Sequence, residues 1–232
     1  MKAPTWNALA WLALYLASAA AAAQTAPRFS PPGELEPGSG RGVSDPNIYL
    51  RDIRFPIEQA PAFLNSQVWR KGGSQGPAGG QCDRANYSYP WRDNFCESRS
   101  WGMPLCPSGQ GHQGQDIRPP TCEARTHWAV AAEAGKIVQV GKYSVSLQTP
   151  AGTVYRYLHL QMNALAVKRG DAVARGARIG RVSNDFDGAA TTIHLHFDIK
   201  DSVRVGARSE VVFVPPYSSL RKAYERLLSG QP

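Results

Sequence analysis

The sequence predicts a mainly β fold, a sandwich or rolled sheet closed by a short C-terminal helix. Three observations carry this. Short runs rich in Val, Ile and Tyr recur from Trp128 onward. Gly-containing turns separate them at close spacing. Helical spacing of apolar residues appears only at the end, after Pro215-Pro216, where Leu220, Tyr224, Leu227 and Leu228 recur on one face. Ser218 or Ser219 is expected to cap that helix.

In chain order, residues 1–23 read as an export signal. Lys2 begins it, an uncharged apolar run spans Ala8 to Ala22, and Ala21-Ala22-Ala23 offers a small-residue cleavage site before Gln24. The run is short for a membrane span and no second one follows, so the mature chain is expected to lack a transmembrane segment. Residues 24–47, rich in Pro, Gly and Ser, read as a flexible segment. Residues 48–108 combine a docking segment, with Ile53, Phe55, Ile57, Phe63, Leu64, Val68 and Trp69, and a Cys- and aromatic-rich insertion. Residues 109–215 form the expected β core. Its strands are Trp128–Ala132, Lys136–Val140, Val145–Gln148, Val154–Leu158, Ala172–Val173, Arg178–Val182, Ile193–Ile199, Val203–Val205 and Val211–Val214. Residues 216–232 hold the helix.

The 232-residue chain carries a net charge of +8 and a pI near 9.5. A basic exported protein suits anionic envelope polymers. Nucleic acid is not expected as a partner, because no dense Lys/Arg cluster is interleaved with aromatics. The four cysteines, Cys82, Cys96, Cys106 and Cys122, contain no Cys-x-x-Cys, which argues against a zinc ribbon. Two disulfides are expected. Three connectivities are open, and short loop closure favours Cys82–Cys96 with Cys106–Cys122.

Four of the five histidines fall in three motifs: Gly111-His112-Gln113-Gly114-Gln115-Asp116, Tyr157-Leu158-His159-Leu160 and His194-Leu195-His196-Phe197. Residues two apart on a strand share a face, so His194 and His196 can enter one site. His, Asp and His form a normal ligand set for catalytic zinc with an open position. His112 and Asp116 would lie roughly 13 Å apart on a straight strand, so a bend is required, and Gly114 permits one. No His-Glu-x-x-His occurs, so another group must take the proton of water. His194 is the best placed for that, and His159 can reach the same cleft. His127 is assigned no role. Asp198 shares the spacing of His196 but reads as a surface carboxylate at a strand end.

Together, His-x-Gly-x-Asp, Tyr-x-His-Leu and His-Leu-His-Phe, in that order, resemble the lysostaphin/LytM-type zinc endopeptidases of bacterial cell walls. Gly135-Lys136-Ile137-Val138 and the Gly170, Val173, Gly176, Ile179-Gly180 series extend the resemblance over roughly 109–200. It implies an antiparallel β core with a groove holding the zinc site. It implies one zinc on His112, Asp116 and His196, with His159 and His194 assisting catalysis, and peptidoglycan as substrate. Two features depart from the family pattern. Asn184 to Ile193 replaces a Gly-rich stretch, and the Cys-rich insertion precedes His112. A non-catalytic LytM-type domain that activates cell-wall amidases, and an exported peptidase acting on proteins, stand as alternatives. The protein is expected to be an exported monomer, in a Gram-negative periplasm or secreted.

Overall fold

The computed structural model describes residues 26–232, so the export signal expected at 1–23 lies outside the described residues. Among these residues the strands are β1 (Phe63–Leu64), β2 (Gln115–Arg118), β3 (Trp128–Val130), β4 (Gly135–Val140), β5 (Ser144–Gln148), β6 (Val154–Leu158), β7 (Ala172–Val173), β8 (Arg178–Arg181), β9 (Asp185–Phe186), β10 (Ala189–Ala190), β11 (Leu195–Val205) and β12 (Arg208–Phe213). The helix α1 spans Tyr217–Leu228. Eight strands form one sheet in the order β1-β2-β11-β6-β5-β4-β7, with β12 paired to β11. Its pairings are antiparallel. The mainly β, antiparallel fold with a single C-terminal helix is therefore as expected.

β11 explains how the sheet presents a site. Leu195, Phe197 and Ile199 are fully buried. Phe197 stacks on Tyr155 of β6 at 5.8 Å between ring centroids and meets Tyr157 edge-on at 5.3 Å. Each such side chain stabilises the fold by roughly 1.5–3 kcal/mol. The alternation sends His196 and Asp198 to the opposite face. The expected strands at 193–199 and 203–205 are one continuous strand, because β12 pairs with it from Lys200 to Val205.

On the other side of the core, α1 buries Tyr217, Leu220, Ala223 and Tyr224. Tyr224 lies 4.4 Å from Trp91 and 5.0 Å from Phe55 between centroids. The N-cap is Pro216, with no side-chain cap, rather than Ser218 or Ser219. Ser219 is turned instead to the docking segment, where its Oγ accepts the Leu50 N–H at 3.1 Å. In that segment Ile53, Phe55 and Ile57 are fully buried. Arg54 N–H donates to Ala132 O, Val130 N–H to Pro56 O and Glu58 N–H to Trp128 O, which stitches the segment along β3.

Two expectations are corrected. Residues 26–47 form a strap on the domain rather than a loose segment. Phe29 packs edge-on against Trp91 at 5.0 Å, Gly33 N–H donates to Asp93, and Ser98 N–H donates to Ser39 O. Pro and Gly shape the strap's turns. Gly33 has φ +79°, and a Cβ there would sit 2.4 Å from Val43 O. The disulfides are Cys82–Cys122 and Cys96–Cys106, not the pairs favoured by local loop closure. Chain layout decides this: Arg118 on β2 donates to Gln81 O, which draws Cys82 to the end of the β2 segment. Among the described residues, no helix is long and apolar enough to cross a membrane.

Candidate functional site

The register of the central strands assembles the site. Asp116 on β2 lies directly across from His196 on β11, and Leu158 on β6 lies across from His196 on the other side. Cross-strand neighbours on one face are within side-chain reach. The chain then turns back before β2 to bring His112 over the same face. His112 Nε2 is 3.3 Å from Asp116 Oδ1, so the bend required by the sequence is present. Gly114 serves it sterically. A Cβ there would meet Phe197 O at 2.4 Å, so the loop can lie against β11 only with glycine.

Three donor atoms converge. His112 Nε2 is 2.9 Å from His196 Nδ1, and His196 Nδ1 is 3.1 Å from Asp116 Oδ1. All three residues are buried, and their ligand atoms lie within 4.8 Å of one another. The far side of each ring fixes its tautomer. His112 Nδ1–H donates to Asn94 O at 2.9 Å, which leaves Nε2 as a lone pair. His196 Nε2–H donates to Asp198 Oδ2 at 3.1 Å, which leaves Nδ1 as a lone pair. Two imidazole nitrogens and a carboxylate oxygen therefore face one another, a donor set that could hold a metal ion. Burial alone would lower the His196 pKa, but the hydrogen bonds to Asp116 and Asp198 outweigh it and push it up to about 9. Burial likewise opposes ionisation of Asp116, yet the neighbouring histidines hold its pKa well below the usual carboxylate range. Nitrogen and oxygen donors in this number and spacing fit zinc with an open position.

His159 and His194 are brought to the same place, with ring centroids 4.6 Å apart. His194 Nδ1–H donates to Thr192 O at 2.8 Å, and its Nε2 lies 3.5 Å from Asp116 Oδ1. His159 Nδ1–H donates to Asp185 O at 3.0 Å. Both Nε2 atoms are thus unprotonated acceptors. Burial lowers the His159 pKa to about 4 and that of His194 well below its ordinary value. His159 has φ +65°, a strained conformation for a residue with a Cβ, held by hydrogen bonds from its N–H to Tyr143 O and from Ser183 N–H to its carbonyl. His127 stands apart, bonded to Thr121 at 2.7 Å.

These residues line a cleft of about 290 Å³. Trp101 from the Cys-rich insertion and Phe186 from the β9–β10 hairpin also line it, and they are 46% and 41% exposed. The hairpin occupies the segment 184–193 that departs from the family pattern. Gln67 of the docking segment reaches the cleft too, and its Oε1 accepts from Thr192 Oγ1 at 2.7 Å.

Several supporting residues were not singled out from the sequence, and one was misread. Asp198 is fully buried rather than a surface carboxylate. Arg156 grips it with Nε and Nη2 at 2.7–3.0 Å and ties it to Gln113 in the loop that carries His112. Its spacing from His196 was the available signal. Asn94 bonds both His112 and Asp116, and no local pattern marks it.

Residues 110–207 match the model of peptidase family M23. Comparison with curated proteins gave no match. Among solved structures, the chain is similar to a candidate glycyl-glycine endopeptidase, lytM, of Ruminococcus gnavus. The identity is 21% and the TM-score 0.47, over 75% of this chain and 61% of that one. It is similar to the catalytic domain of lysostaphin of Staphylococcus simulans at 26% identity and TM-score 0.37, over 55% of this chain and 93% of that one. It is similar to a zinc-containing peptidase of Vibrio cholerae at 24% identity and TM-score 0.35, over 52% of this chain and 35% of that one. The chain thus spans less than two thirds of the first and third of these.

Proposed function

From residues 110–207 as a domain of peptidase family M23, we propose that the protein is a zinc-dependent endopeptidase that hydrolyses peptide bonds in peptidoglycan cross-links or stem peptides. The observation that supports this most directly is the convergence of three donor atoms, His112 Nε2, Asp116 Oδ1 and His196 Nδ1, beside two further imidazoles with unprotonated Nε2 atoms. His112, Asp116 and His196 would hold one zinc per chain. Bound there, zinc supplies a Lewis acid for the scissile carbonyl and lowers the pKa of water toward 7.

The chain's own residues supply the proton chemistry. A water between His159 and His194 donates one O–H to each Nε2. His194 removes a proton from it as it attacks, and the same proton passes to the leaving amine. His159 orients the water, because its bond to Asp185 O leaves Nε2 only as an acceptor. Burial keeps both rings neutral and ready to accept at pH 7. Trp101 and Phe186 flank the groove where the substrate chain would lie. The substrate class follows from the resemblance to LytM-type enzymes, and export to the periplasm or beyond follows from the signal-like start.

Metal analysis of the purified full chain, followed by incubation with isolated sacculi and with protein substrates, tests the reading. About one zinc per chain and newly released amino termini in the sacculi, identified by mass spectrometry, are expected. Zinc with cleavage of proteins alone would move the substrate to exported proteins. A chain without zinc or hydrolysis would leave the amidase-activator role.

A further inference from the structure

We infer that the metal centre is completed from outside the peptidase domain. Asn94, held in the Cys-rich insertion beside the Cys96–Cys106 bridge, is a positioning residue for two of the three proposed zinc donors. The inference rests on the zinc reading of the site.

Asn94 is fully buried and makes three bonds to the two residues. Its backbone carbonyl accepts from His112 Nδ1 at 2.9 Å, which turns the His112 Nε2 lone pair inward. Its Nδ2 donates to Asp116 Oδ2 at 2.9 Å, which leaves Oδ1 facing the histidines. Its Oδ1 accepts the Asp116 N–H at 3.1 Å, which locks the backbone of β2 at the ligand. One residue thus fixes a ring tautomer, a carboxylate rotamer and a strand position. Groups that orient ligands in this way typically carry a 10–100-fold effect on metal affinity.

The surroundings hold Asn94 itself. Asp93 accepts from Phe95 N–H at 2.9 Å and from Gly33 N–H at 2.9 Å, which closes a tight turn across Asn94 and ties it to the N-terminal strap. Cys96 N–H donates to His112 O, and His112 N–H donates to Glu97 O, a two-bond lock between the insertion and the metal loop. The Cys96–Cys106 bridge starts within that lock. Residues 94–106 lie before the matched segment 110–207, so the matched domain alone lacks the groups that orient His112 and Asp116.

The test is zinc affinity of the full oxidised chain, measured by competition with a chromogenic chelator, together with the melting temperature of the metal-free protein. Asn94→Leu keeps the γ-branched shape of the side chain, slightly larger, and removes both side-chain bonds. Asn94→Ala removes the volume as well. Both are expected to bind zinc 10–100-fold more weakly than wild type. Cobalt-substituted Asn94→Leu should show a visible spectrum shifted from wild type, because the carboxylate is free to rotate. A role limited to packing predicts that Asn94→Leu binds like wild type with an unchanged cobalt spectrum, which overturns the inference. If the Asn94 variants do not fold, Cys96→Ser/Cys106→Ser carries the test. It keeps Asn94 but opens the staple, and it should bind zinc at least threefold more weakly, whereas equal affinity refutes the proposal. Wild type without zinc affinity would overturn the zinc reading together with this inference.

Discussion

Zinc binding should be coupled to the loss of one proton from His196, and the size of the coupling can be worked out from the site. In the metal-free chain the His196 pKa lies at about 9, where burial is outweighed by Asp116 and Asp198. The nitrogen that must face the metal is Nδ1, which carries the proton between Asp116 Oδ1 and His112 Nε2. His159 and His194 are already neutral at pH 7 and Asp116 already ionised, so none of these three contributes a proton there. Below pH 9 each pH unit then costs the apparent affinity about tenfold, or about 1.4 kcal/mol. Between pH 7 and pH 9 the affinity should rise about 50-fold, since His196 is half deprotonated at pH 9. Isothermal titration at pH 7 in buffers of different ionisation enthalpy should show about one proton from His196 released per zinc, and chelator competition at pH 7 and 8 should give a tenfold difference. Affinity that is flat over this range would mean that no proton is held on His196, and the account of the cluster would fail.

Other outcomes follow from the same geometry. His196→Ala should lose zinc, whereas His194→Ala should keep it and lose about 10²–10⁴-fold in activity; metal content and turnover of the two variants check this, and loss of zinc by His194→Ala would reverse the roles. The metal-free protein should be most stable near pH 6.5 as judged by melting temperature. His196, with its folded pKa raised, adds about 3 kcal/mol that is complete below pH 6.5 and lost as pH rises to 9. His159, with its pKa lowered to about 4, adds a similar amount that is lost as pH falls from 6.5 to 4. Removing residues up to Pro46 should lower the melting temperature, because it uncovers Trp91 and takes the Gly33 N–H from buried Asp93; an unchanged value would show that the strap contributes nothing.

The sheet was legible because strand alternation is local. Val145–Gln148 and Val154–Leu158 stand almost where the pattern put them. The His-x-His face was legible for the same reason. β2 was not, since Gln115 to Arg118 is buried on both faces and carries polar residues with partners in other segments. Arg118 is bonded to Asn65 and Gln81, and Gln115 to Asn94 and Arg92. The disulfides failed for a thermodynamic reason. Closing the loop of 40 residues from Cys82 to Cys122 costs only about 1 kcal/mol more than closing the loop of 14 to Cys96, so a few tertiary contacts reverse the local preference. Asn94 and Arg156 were invisible because their function is a direction of hydrogen bonding, which exists only after the chain has folded.

Charge balance gives the cluster its bias toward a cation. A buried carboxylate is costly unless it is paired. Asp198 has its pair in Arg156, with a bond as short as 2.7 Å. Asp116, 2% exposed, has among the described residues no Lys or Arg partner, only histidines and the Asn94 amide. Two of the three histidines in reach are turned so that a lone pair faces it. The chain can neutralise Asp116 only by protonating an imidazole it has aimed inward, or by admitting a metal ion. Protonation satisfies one donor atom and sets two others against each other, whereas one dication can answer all three. The donors stand 2.9–3.3 Å apart, close enough for one ion to touch all three. Because all three donors share one cluster, the proton linkage at His196 and the orientation of Asp116 by Asn94 should both be readable in zinc affinity alone, before any substrate is added.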